Sequence, residues 1–264
     1  MKWFPQHSSA NFPTTVKRVA TPPVPLTLGL PPREPRPLTA GLLAVPAAIG
    51  AGRVRDVLPV LSATELVGGG GGGVDAGRVI GVDAGRVVGA DAGRVVVRLD
   101  TDPARLRAAH PARYEAVRFD LDCEEADLAE ALAVRVPAPL AVFVGDVAPA
   151  AAAERIVAAG RIPGLPAATS PAEISDFLSV LAHSDVGYVA RARGPQDVLA
   201  LLCGTVAALR GDDTRQALDS PDPTVLTALS PEAGGAVREV LTGVEVPDAE
   251  PVLAMFDELG LGAP

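Results

Sequence analysis

The chain has 264 residues, a formal net charge of −9 and 48% hydrophobic residues, and nine of its side chains are aromatic, so it suits one large domain with a core of Ala, Val and Leu. Like charges never run beyond two residues and no basic stripe exists, which excludes the electrostatic footprint of a nucleic-acid binder. No stretch of 18 apolar residues suggests a membrane span, and two cysteines without a CxxC pair point neither to a disulfide framework nor to zinc; the cytoplasm is the expected compartment.

Residues 1–23 carry Pro5, Pro13, Pro22 and Pro23 among Ser, Thr and Asn without a hydrophobic period, and read as a disordered tail. A βα barrel is expected over 24–264, interrupted at 68–93 by a low-complexity insert. The insert opens with six glycines, Gly68–Gly73, and continues into three near-copies of one octad, VDAGRVIG (74–81), VDAGRVVG (82–89) and ADAGRVVV (90–97). Outside it, short β-rich runs at 25–30, 94–100, 116–122, 140–146, 165–169, 186–192, 224–229 and 244–246 alternate with amphipathic helices. Ser170 and Pro171 open one of these helices, Pro195 a second and Pro231 a third. Eight strands, each followed by a helical segment, predict an α/β fold of the (βα)8 TIM type. The alternative is an open doubly wound sheet, whose dinucleotide-binding version lacks support because no GxGxxG follows the first strand.

Alternation along the strands selects candidate site residues. In 116–122, Val117, Phe119 and Leu121 form one face and Arg118, Asp120 and Asp122 the other. In 94–100, Val95, Val97 and Leu99 oppose Val96, Arg98 and Asp100, and in 244–246 two valines flank Glu245. Two strands thus direct Arg-x-Asp toward the axis, acid outermost, where barrel active sites sit. Asp146 ends the next strand. Three readings are open. Arg98 and Arg118 clamp an anionic metabolite that the carboxylates help orient, with no cofactor; or Asp100, Asp122 and Asp146 hold Mg²⁺; or the charges form an internal salt-bridge network. Arg193, beyond the sixth strand, is a further substrate-binding candidate. Ser230, in Ser-Pro-Glu-Ala-Gly-Gly, could offer a helix start to a phosphate. His183 and His110 fall in connections and read as surface or capping residues, and no Gly-x-Ser-x-Gly elbow is present.

Asp185-Val186-Gly187-Tyr188-Val189-Ala190 with Gly194-Pro195-Gln196-Asp197-Val198-Leu199 resembles the sixth strand and helix of type I 3-dehydroquinate dehydratases. Arg98-Leu99-Asp100 or Arg118-Phe119-Asp120 resembles part of that family's Glu-x-Arg-x-Asp strand. Ile162-Pro163-Gly164 and Ser170-Pro171-Ala172-Glu173-Ile174 are similar to segments of keto-acid aldolases. Both resemblances imply a barrel forming a Schiff base through a lysine, but Tyr188 stands at the lysine position, and the two lysines of the chain, Lys2 and Lys17, lie in the tail. Tyrosine forms no imine. The expectation is therefore a barrel, oligomer possible, that binds a small anionic metabolite. Any lyase- or isomerase-type reaction would be non-covalent, with Asp100 and Asp122 as acids and Tyr188 as hydrogen-bond donor. The alternative is a degenerate lyase-like barrel kept for binding or structure.

Overall fold

The computed structural model describes residues 37–47, 56–68, 93–108 and 114–262. They form a closed barrel of eight parallel strands in sequence order, β1 (Leu43–Pro46), β2 (Leu58–Ser62), β3 (Arg94–Arg98), β4 (Glu115–Cys123), β5 (Leu140–Val144), β6 (Ile162–Leu165), β7 (Tyr188–Arg191) and β8 (Leu241–Glu245). β1 pairs with β8, which closes the sheet and rules out the open doubly wound alternative. The chain is a (βα)8 barrel of TIM type. No helix of the described residues is long and apolar enough to cross a membrane.

The helices are α1 (Ala63–Gly68), α2 (Pro103–Ala108), α3 (Leu128–Ala133), α4 (Pro149–Ala158), α5 (Pro171–Leu181), α6 (Pro195–Arg210), α7 (Thr214–Asp219), α8 (Thr224–Thr227), α9 (Pro231–Val240) and α10 (Glu250–Glu258). Their starts follow local chemistry. Ser170 and Glu173 form a reciprocal capping box at α5, Pro195 takes the first turn of α6, and Gly211 ends that helix in the left-handed region at φ 74°.

Two strands of the sequence reading need correction, 165–169 and 224–229: the first is Ile162–Leu165, with Ala167 and Ala168 in the turn beyond it. The run 224–229 is not a strand: Thr224–Thr227 is the single turn α8, whose first amide is accepted by Asp222 Oδ1 at 2.9 Å. An Asp-Pro-Thr start favours that turn over extension, despite the β-branched residues behind it. The seventh and eighth strands are instead Tyr188–Arg191 and Leu241–Glu245, joined through α6 to α9. At the other end, the expected strand at 25–30 lies outside the described residues, and the barrel begins with β1 and β2. Pro46 closes β1 and Pro59 sits inside β2, where each removes a ladder donor and disguises the strand. The acids expected at the ends of the second, third and fourth strands therefore belong to the third, fourth and fifth. The tail at 1–23 and most of the insert lie outside the described residues, but the end of the third octad is structural: Arg94–Val97 belongs to β3.

Outward side chains of β3 to β5, including Val95, Val97, Phe119 and Val142, pack on Leu128, Ala152 and Ile156 of α3 and α4. On the other half, Leu165, Tyr188, Ala190 and Val244 pack on Phe177, Leu202, Val206 and Phe256. The lumen carries two smaller apolar groups, Ala44 with Val60 and Val96, and Ala141 with Phe143 and Val189. Two glycines make room there. A β-carbon on Gly164 would lie 2.5 Å from the Phe143 ring, and one on Gly243 would lie 2.7 Å from Arg118 Nη1.

Candidate functional site at the barrel mouth

The deepest polar pair is Arg118 with Asp120, two residues apart on β4 and so on one face of the strand. Arg118 Nε donates to Asp120 Oδ1 at 2.6 Å and Nη2 to Oδ2 at 3.1 Å, and Asp120 is 0% exposed. This bidentate, desolvated pairing occupies the Nε–Nη2 edge of the guanidinium. On that edge Arg118 is the structural partner of Asp120.

Above it, four charges alternate in a ring at the carboxyl ends of the strands. Arg191 donates to Asp122 through Nη1 at 2.5 Å and Nη2 at 3.0 Å, and through Nε to Glu245 Oε2 at 3.3 Å. Arg98 donates through Nη2 to Glu245 Oε1, and its Nε lies 4.0 Å from Asp122 Oδ2. In a closed eight-stranded barrel β3 stands opposite β7 and β4 opposite β8, so the ring spans the lumen from wall to wall. Arg191 also stacks on Phe143, its guanidinium carbon 3.9 Å from the ring centroid. Burial works against the Arg191 charge, but the hydrogen bonds and charges of Asp122 and Glu245 outweigh it and hold its pKa above that of a free guanidinium. The edge between Arg98 and Asp122 is the weak one: Arg98 Nε is buried without a hydrogen-bond partner.

The charges of Arg98, Arg118 and Arg191 are balanced by those of Asp120, Asp122 and Glu245. Arg191 was missed in the sequence reading, although strand alternation carried the signal: Val189 and Arg191 share the lumen face, and Tyr188 and Ala190 the helix face. Taking Tyr188 as a site residue selected the wrong face. Tyr188 is fully buried under the helices, with its hydroxyl 2.8 Å from Thr205 Oγ1 and its ring edge-on to Phe177. Burial, partly offset by Thr205, pushes its pKa well up.

The remaining candidates are also placed differently from expectation. Asp100 lies just past β3 and clamps the start of α1, where Oδ1 accepts Thr64 N at 2.8 Å and Oδ2 accepts Ser62 Oγ at 2.5 Å. Burial pushes its pKa up, but these hydrogen bonds outweigh it and hold the carboxyl below the ordinary range. Asp146 Oδ1 accepts Glu125 N at 2.7 Å, at the turn before α3. Asp100, Asp122 and Asp146 therefore serve separate partners, and among the described residues no three His, Cys, Asp or Glu side chains are grouped to hold a metal. The Mg²⁺ site is not formed by this triad. Ser230 caps α9, its hydroxyl accepting Ala233 N at 3.2 Å.

Arg193 does line a cleft. It lies between the turns that follow β6 and β7, holds about 120 Å³ and has apolar walls that include Leu165, Ile174, Ala200 and Leu201, with Thr169, Arg191, Arg193 and Asp197 as polar residues. Arg193 grips Asp197 through Nε at 2.8 Å and Nη2 at 3.1 Å, and this hydrogen bonding lowers the Asp197 pKa. On the rim, Ala168 has φ +62°, a left-handed conformation that costs a non-glycine residue about 1–3 kcal/mol and collects at functional sites.

No family model, curated protein or solved structure matches the chain.

Proposed function

We propose that the barrel binds a small anionic metabolite at its carboxyl mouth, in the cleft walled by Arg191 and Arg193. The observation that carries this reading is a concave, largely apolar cleft with two guanidiniums on its wall, at the end of the barrel where ligands of this architecture bind. Arg193 is the more available anchor, because its side chain is exposed and its half-buried Asp197 partner is a neighbour four residues on, and such pairs exchange at little cost. Binding is non-covalent in this reading, since no lysine lies among the described residues to form an imine.

A second reading has its own support. Three guanidiniums and three carboxylates pair with one another in the lumen, as in a barrel whose polar interior is a strut and whose role is structural. Thermal unfolding against a panel of small anions separates the two. A ligand at a hundredfold excess over its dissociation constant stabilises by about 2.7 kcal/mol, and Arg193→Gln should remove that gain while leaving unliganded stability nearly unchanged. No response of the wild-type protein to any anion supports the structural reading.

A further inference from the structure

The cleft also constrains the class of its ligand. We infer, resting on the anion-binding reading, that the mouth takes a short aliphatic monocarboxylate, with the carboxylate at Arg193 and the hydrocarbon against Leu165, Ile174, Ala200 and Leu201. Size is the first constraint. A volume of about 120 Å³ is well below the roughly 300–1,000 Å³ of drug-sized pockets, so the cleft suits a small ligand.

Wall chemistry is the second. A sugar or hydroxy acid needs donors and acceptors for its hydroxyls, and those present are engaged: Thr169 Oγ1 donates to Pro166 O at 2.8 Å, and Asp197 is held by Arg193. Charge is the third. Arg191 is already matched by Asp122 and Glu245, and Arg98 by Glu245, so a second negative charge on the ligand meets no spare cation. A monoanion takes the place of Asp197 at Arg193, whereas the second charge of a dianion faces guanidiniums already paired with Asp122 and Glu245. The cleft adjoins the charged ring, and Arg191 belongs to both.

The test is isothermal titration of the full chain with acetate, propionate, butyrate, valerate and hexanoate, with succinate and inorganic phosphate as contrasting anions and valeramide as the neutral analogue. Each buried methylene should tighten binding about fourfold, at ~0.8 kcal/mol per methylene, with the gain ending within the series as the cleft fills. Valeramide, succinate and phosphate should bind at least tenfold more weakly than valerate. Ala200→Leu, which fills the cleft from α6, should abolish the chain-length dependence and leave the weak affinity for acetate. If that variant fails to fold, the wild-type series still decides. Tighter binding of phosphate or succinate, lost in Arg193→Gln, overturns the monocarboxylate assignment but keeps the anion site. Flat affinity along the acid series also overturns the assignment, and absence of binding by every anion overturns both.

Discussion

The guanidinium of Arg118 occupies the space that a side chain on residue 243 would need: a β-carbon built on Gly243 lies 2.7 Å from Arg118 Nη1. Arg118 cannot simply swing away, because its other edge is held by Asp120, which is fully buried. Gly243→Ala should therefore destabilise the barrel by about 1–3 kcal/mol through overpacking. Arg118→Ala should cost about 3–5 kcal/mol by stranding a buried carboxylate. In the Arg118→Ala background, Gly243→Ala should become nearly neutral, since the two effects share one contact. Urea unfolding of the single and double variants measures this. Additive losses would show that Gly243 acts through its backbone instead.

The clamp between Asp100 and α1 makes stability depend on pH. Hydrogen bonds from Ser62 and Thr64, exceeding the opposing effect of burial, place the folded pKa of Asp100 below its ordinary value of 3.8. Its contribution is thus complete above that value and is lost as pH falls through the lower, folded one. Asp100→Asn should flatten the acid limb of the stability curve below about pH 4 and change little at pH 7 beyond a constant offset. Urea midpoints at pH 7, 4 and 3 for both proteins give the comparison. An unchanged acid limb would mean that other carboxylates dominate it.

Tyr188→Phe tests which face of β7 is functional. The Tyr188 hydroxyl meets Thr205 in the helix layer, and Thr205 Oγ1 itself donates to Leu201 O at 2.6 Å. Removing the hydroxyl should cost about 0.5–1.5 kcal/mol of stability and leave anion affinity within twofold. A large loss of affinity at unchanged stability would return Tyr188 to the site.

Much of the lumen was legible because strand alternation is a local property. Arg98, Arg118, Asp120 and Asp122 were placed inward from Val-Arg and Arg-x-Asp patterns alone, and they do face the axis. The same rule applied to Tyr188-Val189-Ala190-Arg191 finds Arg191, but a family resemblance fixed on Tyr188 pointed to the opposite face. What alternation cannot resolve is where a strand stops. Asp100 and Asp146 lie just beyond β3 and β5, so the chain has turned and their carboxylates cap α1 and the turn before α3. Pairing is also invisible locally: Glu245 meets Arg98 from 147 residues away, and only barrel closure brings them together. The short strands β1 and β2 were hidden by Pro46 and Pro59, which a closed sheet tolerates at the loss of single donors.

The two acids of the mouth ring should respond differently to neutralisation. Glu245 is buried and bridges Arg98 and Arg191, so Glu245→Gln leaves excess positive charge inside the barrel and should cost about 3–5 kcal/mol. The Asp122 side chain is 50% exposed and closes the ring on Arg98 across 4.0 Å. Water partly screens that charge but Asp122 also holds Arg191 by two hydrogen bonds, so Asp122→Asn should cost about 1–3 kcal/mol, less than Glu245→Gln. It also removes a carboxylate competing for Arg191, which lines the cleft, so affinity for a small anion should rise severalfold. Thermal unfolding gives the first comparison and titration with valerate the second. If Asp122→Asn is as costly as Glu245→Gln and no anion binds more tightly, the ring is one indivisible strut. The mouth then has no separable ligand position beside Arg191.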